Sequence, residues 1–143
     1  MARKTYQLDI VTPEKNVYSG EVSSTTLPGD GGYLGVWANH APMVAALVPG
    51  TLTLHEGASE IPTALYAVGG GFAEVSDNEM VLLVDNAEAA GEIDTARAER
   101  ALERAKDRLA KALAGDEDID AERARRARER AEARIHVAYL RGN

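Results

Sequence analysis

The arginines are the residues whose type and spacing offer chemistry in this chain. Residues 121 to 141 hold 7 basic groups (Arg123, Arg125, Arg126, Arg128, Arg130, Arg134 and Arg141) against 3 acidic ones, for a local charge of +4. Such a surface attracts an acidic protein partner or phosphate. A second chemical signature is the run Ile93-Asp94-Thr95-Ala96-Arg97-Ala98, echoed by Ile119-Asp120-Ala121-Glu122-Arg123-Ala124. At an offset of 26, the stretches these runs open agree at 11 of 20 positions. Read from its residues alone, Asp94 is a helix N-cap and the arginines are solvated charge, because a cap carboxylate accepts otherwise unpaired amide protons.

Other chemistries lack their residues. His40, His55 and His136 show no metal-ligand spacing, and no HExxH or CxxC pattern occurs. Ser19, Ser23, Ser24, Ser59 and Ser76 have no local nucleophile-elbow context. The glycines at 29, 31, 32 and 35 superficially suggest a phosphate loop. No Lys-Ser or Lys-Thr follows them, and a strand comes next where a P-loop would meet a helix, so they read as turn glycines. Tyr33, Trp37 and His40 leave two readings open, a core tryptophan beside loop residues, or a docking tip in which aromatic rings supply contact area.

The elements that position these groups follow from charge and periodicity. A chain of 143 residues can bury one ordinary core, or a small core with a helical appendage. Apolar residues make up 45% but aromatics only 5%, so much of the apolar content is alanine and valine. Without cysteine there is no disulfide framework or thiolate chemistry. The N-terminal residues lack the apolar core of a signal peptide, and no stretch approaches 18 uninterrupted apolar residues. Net charge is -7 and unevenly spread: residues 1–92 carry 3 basic and 12 acidic groups (-9), residues 93–143 carry 13 and 11 (+2). The step marks a boundary near Glu92. The acidic first part would repel a polyanion, which argues against nucleic-acid binding.

In the first part, short alternating runs separated by Gly- and Pro-rich turns predict strands over residues 6–12, 17–18, 21–27, 33–37, 43–48, 51–55, 60–68, 72–75 and 80–84. Ser19-Gly20 and Pro49-Gly50 read as turns, Gly69-Gly70-Gly71 as backbone freedom where a Cβ would collide, and residues 38–42 as an irregular loop. The expected fold is an N-terminal all-β sandwich, or flattened barrel of short strands, over residues 1–90. A C-terminal antiparallel α-helical hairpin over residues 91–143 follows it. The first helix has a seam of Ala98, Leu102, Ala105, Leu109 and Ala112, and the second has Ala124, Ala127, Ala131, Ile135 and Ala138. Arg100 and Arg104 are expected to find carboxylates on the facing helix. Alanine buries only about one methyl apiece, so the hairpin should form yet hold its folded-back position weakly. A spacer, a mobile arm and a partner-bound coiled coil all fit that seam.

Four stretches in this order, Gly35-Val36-Trp37-Ala38-Asn39-His40-Ala41-Pro42, Pro49-Gly50, Gly70-Gly71-Phe72-Ala73-Glu74-Val75 and Ile93-Asp94-Thr95-Ala96-Arg97-Ala98, resemble the epsilon subunits of bacterial F-type ATP synthases. The resemblance spans roughly residues 6–140. It implies a noncatalytic central-stalk (rotor) subunit that couples proton translocation to ATP synthesis and restrains ATP hydrolysis. It also implies a peripheral location on the cytoplasmic face of the bacterial inner membrane. The implied partners are the gamma subunit and the membrane c-subunit ring, with the catalytic alpha/beta hexamer joining when the hairpin extends. Asp30, Tyr33 and His40 would lie on or near the surface facing the c-ring, with Tyr33 standing where some relatives carry a glutamate. Arg123, Arg125, Arg126, Arg128, Arg130 and Arg134 would form the inhibitory face. No cofactor is required, but a regulatory ATP is implied at Glu88, Ile93, Asp94, Arg97, Ala98, Arg104, Arg130 and Arg134. A peptide-binding sandwich with a coiled-coil arm is the competing reading; it leaves the loop and the paired helix starts unexplained.

Overall fold

Period-two burial shapes the N-terminal part of the computed structural model, which describes residues 4–142. In β1 (Tyr6–Val11) the side chains of Tyr6, Leu8 and Ile10 are buried while their neighbours are partly exposed. The other strands are β2 (Asn16–Val22), β3 (Ser24–Gly29), β4 (Gly32–Trp37), β5 (Met43–His55), β6 (Ala64–Ser76), β7 (Glu79–Val84) and the short β8 (Ala87–Ala89). They run in the spatial order β2-β1-β7-β6-β5-β3-β4, with β8 also on β6. All pairings are antiparallel except that of β1 with β7. The path folds over itself as an eight-stranded β-sandwich around one core that includes Leu8, Ile10, Leu27, Leu52, Leu54, Met80 and Leu82.

The fold class matches the sequence expectation, but several strand boundaries differ for identifiable reasons. Pro49-Gly50 is not a turn, and the strand runs on through Gly69-Gly70-Gly71. β5 and β6 each run unbroken for 13 residues and bend where those segments meet, with Leu47 opposite Gly71 and Pro49 opposite Gly69. Proline is tolerated at such a bend because the ladder is already irregular there. Glycine is required: Gly71 has φ 145°, and a Cβ on it would strike the Leu83 carbonyl. Past the bend β6 leaves β8 for β7, so each long strand serves both layers.

Residues 21–27 were expected as one strand but divide at the buried Ser23. Its N–H and hydroxyl both donate to the His55 carbonyl, at 2.7 and 2.9 Å, where the chain passes from pairing with β1 to pairing with β5. Ser19-Gly20 lies inside β2, where the Ser19 hydroxyl donates to Asp9 at 2.6 Å. The reversal comes earlier, where Thr12 N–H donates to the Lys15 carbonyl at 2.9 Å.

A 3₁₀ turn (Ala90–Glu92) leads into α1 (Thr95–Leu113) and α2 (Ala121–Gly142). Both helices start on the aspartate the sequence offers: Asp94 accepts from the Arg97 N–H at 3.0 Å and Asp120 from the Arg123 N–H at 3.1 Å. Gly115, at φ 109°, ends the α1 segment just past Leu113. The alanine seam is buried at Ala98, Ala105, Ala124 and Ala131. α2 has a second buried face that the seam did not predict. Ala133 and the fully buried Val137 pack on Ala67 of β6, flanked by Leu65, Ala90 and Ile93. The middle layer of the molecule is therefore α2, held between α1 and the sandwich. No helix among the described residues is long and apolar enough to cross a membrane.

Candidate functional site

The motif residues converge where α1 begins and α2 crosses β8. Glu88, Asp94, Arg97, Ala98, Arg104 and Arg134, with Glu92 and Ala101, line one cavity of about 390 Å³. Each is placed by a simple local device. Glu88 projects from β8, Asp94 is fixed by its capping bond, and Ala101 and Arg104 follow the Arg97-Ala98 pair at three- and four-residue steps along one face of α1. Arg134 comes from α2 and donates from Nε to Glu88 Oε1 at 2.6 Å, the one ion pair among the described residues that joins the hairpin to the sandwich. Two residues named with this set stand elsewhere. Ile93 is packed in the apolar cluster under α2, and Arg130 lines a neighbouring groove between the helices, which shares Ala101, Arg104 and Arg134 with the cavity.

The cavity is of small-molecule size and sets three arginines, Arg97, Arg104 and Arg134, against three carboxylates, Glu88, Glu92 and Asp94. Its volume lies within the roughly 300–1,000 Å³ of small-molecule sites. Glu88 already balances Arg134, while Arg97 and Arg104 have no ion pair among the described residues. The expectation that Arg100 and Arg104 find carboxylates on the facing helix is not met. Apart from Arg134 with Glu88, the ion pairs of the helices among the described residues are local ones along a single helix, such as Lys111 with Asp107 at 3.0 Å. Burial pushes the Tyr66 phenol up, with added repulsion from Glu92 and Glu56, which marks the β6 side of this corner as acidic. Among the described residues, no cluster of His, Asp and Glu could hold a metal ion.

The α2 arginines named for the inhibitory face divide by environment. Arg125 and Arg126 both reach Glu122, at 3.1 and 3.5 Å, and Arg128 Nε lies 2.9 Å from Glu132. Arg123, Arg130 and Arg134 instead line the groove between the helices.

At the far end of the sandwich, Asp30 and Tyr33 line a shallow hollow with Met43 and Val44. Asp30 N–H donates to the Ala46 carbonyl at 3.0 Å, and the Tyr33 hydroxyl accepts from Thr51 N–H at 3.1 Å, so the exposed ring is tethered. His40 does not line this hollow. It lies in the loop after β4, where its Nδ1 is 2.7 Å from the Ala41 carbonyl oxygen and Asn39 N–H donates to Asn78. Trp37 is 58% exposed, its ring folded over Gly35, which excludes the core reading.

One surface went unrecognised in the sequence. Phe72 and Leu83, 58% and 51% exposed, are cross-strand partners on the outer face, with Ala46 on the other side of Phe72 and Val44 nearby on β5. The signal was present in strand parity: Phe72 shares a face with exposed Glu74, while Ala73 and Val75 are buried.

The fold and these sites define a two-part protein, a β-sandwich with an exposed apolar face that carries an arginine-rich helical hairpin. Residues 5–90 match the family model for the ATP synthase delta/epsilon chain β-sandwich domain. The chain is 52% identical over 110 residues to the ATP synthase epsilon chain of Anaeromyxobacter sp. (strain K), covering 77% of this chain and 81% of that one. It is 47% identical over 111 residues to the ATP synthase epsilon chain of Pelotomaculum thermopropionicum, covering 78% and 81%. Among solved structures it resembles a chain in the Euglena gracilis mitochondrial ATP synthase, OSCP/F1/c-ring assembly, with a TM-score of 0.78 and 25% identity over 95% of this chain and 81% of that one. The protein belongs to the ATP synthase epsilon-chain family, whose members are noncatalytic subunits of that enzyme.

Proposed function

We propose that the protein is a central-stalk rotor subunit whose sandwich docks and whose hairpin regulates. In this reading residues 1–90 bind the gamma subunit through the exposed apolar face around Phe72 and Leu83, and Asp30 and Tyr33 meet the c-ring. The subunit thereby helps couple proton flow to ATP synthesis at the cytoplasmic face of the bacterial inner membrane. Residues 91–143 restrain ATP hydrolysis when they leave the sandwich and present α2 to acidic segments of the alpha/beta hexamer. ATP, seated by Asp94, Arg97 and Arg104, favours the docked state.

The observation that carries this reading is where the hairpin is latched to the sandwich. α2 packs on β5 and β6, with Ala133 and Val137 buried at the contact, and one ion pair among the described residues, Arg134 with Glu88, joins the two. That ion pair forms part of the cavity wall, so a ligand bound there acts on the latch itself. Arginine forks suit the oxygens of a triphosphate, and neither Arg97 nor Arg104 is engaged in an ion pair among the described residues, although Glu92 and Asp94 line the same cavity. Isothermal titration of the full chain with ATP should show one-site binding that weakens in Arg97→Ala. No heat at millimolar ATP would remove the sensor role and leave the rotor role to be tested by co-purification with gamma.

A further inference from the structure

The face that α2 turns to the sandwich runs on past the part that is sealed. Ala133 and Val137 are buried beside Ala67, and Leu140 and Arg141 follow Val137 at three- and four-residue steps in the last turn of the helix. There the contact opens: Val137 is fully buried, whereas Leu140 is 39% exposed. A cavity of about 680 Å³ lies between this last turn, the 3₁₀ turn and the loop that joins β5 to β6. Its walls are mostly apolar, with Ile61, Pro62 and Leu65 from the loop and β6, Ala90 from the turn and Leu140 from α2. Leu65 and Ala90 also flank the buried contact at Val137, so the cavity is the unfilled continuation of that contact. Packed interiors leave no such space, and its volume is that of a small-molecule site.

Arg141 is the one charged residue among the described residues on these walls. Its guanidinium lies flat against the backbone at Gly91. A Cβ there would stand 3.7 Å from Nε, Cζ and Nη2 alike, so the plane of the group is face-on to that position. Stacking of this kind fixes the group and leaves free the N–H edge that pairs with a carboxylate through two parallel bonds. Arg141 has no ion pair among the described residues. The nearby acids Glu88 and Glu92 line the nucleotide cavity, which shares no lining residue with this one. A cation at a helix C-terminus complements the helix dipole, which accounts for the charge of Arg141 but not for the apolar walls beside it.

We propose that this cavity binds a fatty acid in free form, its chain against Ile61, Leu65 and Leu140 and its carboxylate on Arg141. Apolar walls with a single cation match an apolar body with a single anionic head. A nucleotide carries several charges and would leave most of them without partners here. The site therefore stands apart from the nucleotide reading.

Isothermal titration of the full chain with octanoate tests the site against octanol, which has the same chain without the charge. One-site binding of octanoate is expected, about tenfold tighter than octanol, since hydrogen bonds between charged groups matter at that scale. Arg141→Gln should abolish the preference and leave octanol binding unchanged, while Arg125→Gln, outside the cavity, should keep it. Ile61→Ser and Leu140→Ser should each weaken both ligands by roughly fourfold or more through loss of apolar wall. Ile61 is 77% exposed, so its variant leaves the fold intact. Phe72→Ser, on the outer face of the sandwich, should change neither ligand. No binding of octanoate, equal affinity for octanoate and octanol, or a loss in Phe72→Ser in place of Ile61→Ser would overturn the proposal. So would silence with octanoate when vesicles of anionic lipid sediment the chain through Arg141, which would make this surface a membrane contact.

Discussion

Replacing Val137 by alanine should undock the hairpin without unfolding the sandwich. Val137 is fully buried at the centre of the α2 contact with Ala67. The substitution removes two methyl groups there, worth about 0.8 kcal/mol each, or about 1.6 kcal/mol in all. At 1.4 kcal/mol per factor of ten, the undocked fraction rises about fifteenfold. The ion pair between Arg134 and Glu88 remains, but its side chains are 27% and 33% exposed, so it contributes on the order of 1 kcal/mol and does not mask the change. The chain contains no cysteine, so one introduced thiol reports cleanly. In Ala67→Cys the thiol lies under α2, and its alkylation rate follows the fraction of time the hairpin is away. A second reporter, Ala73→Cys, sits in the sandwich core at 0% exposure. The Ala67→Cys rate should rise about fifteenfold with Val137→Ala, while the Ala73→Cys rate stays unchanged. An unchanged rate at position 67, or the same acceleration at both positions, would refute the idea that α2 alone carries the docking.

Two further outcomes follow from the sandwich. The Tyr6 hydroxyl is buried against Thr25 Oγ1 at 2.7 Å and the Val36 carbonyl at 3.0 Å, and burial pushes its pKa up to about 12 although the Thr25 bond pulls the other way. A phenol raised in the folded state resists ionisation only there, so its contribution is intact below pH 10 and is lost between pH 10 and 12, on the order of 2–3 kcal/mol. Urea midpoints should therefore fall between pH 9 and pH 12, and fall less in Tyr6→Phe; equal slopes would show that Tyr6 is not the group responsible. Phe72→Ser with Leu83→Ser should abolish co-purification with the gamma subunit while shifting the sandwich's stability by less than about 1 kcal/mol, because both side chains already face solvent. Retained co-purification would move the gamma contact elsewhere.

The parts of the fold that local signals control were legible in the sequence. Asp94 was read as the cap of the first helix and its capping bond forms; Asp120, which opens the echo of that run, makes the matching bond. The bend in β5 was not legible, because Pro49-Gly50 carries the local signature of a turn, whereas Gly69-Gly70-Gly71 read as backbone freedom where a Cβ would collide, as it does at Gly71. Only the mutual pairing of the two strands keeps them extended. The second face of α2 was missed for a related reason. Assigning the helix one apolar seam suffices for a two-helix hairpin, whereas a middle-layer helix needs two, and the four-residue step from Ala133 to Val137 was the available clue. Of the cavity residues, the resemblance grouped Glu88, Asp94, Arg97, Ala98, Arg104 and Arg134, which the chain does bring to one hollow. It did not reveal which arginines are compensated, since that depends on where Glu122 and Glu132 fall around the turn of α2.

The bent strands also bear on how the sandwich resists shear. In a sandwich of separate sheets, one layer can creep across the other by slipping side chains past one another, a motion resisted only by packing. Here β5 and β6 pass through the bend from one layer into the other, so sliding the layers apart strains two stretches of covalent backbone and the ladder between them. The sandwich is stiff in shear for a reason independent of how well its core is filled.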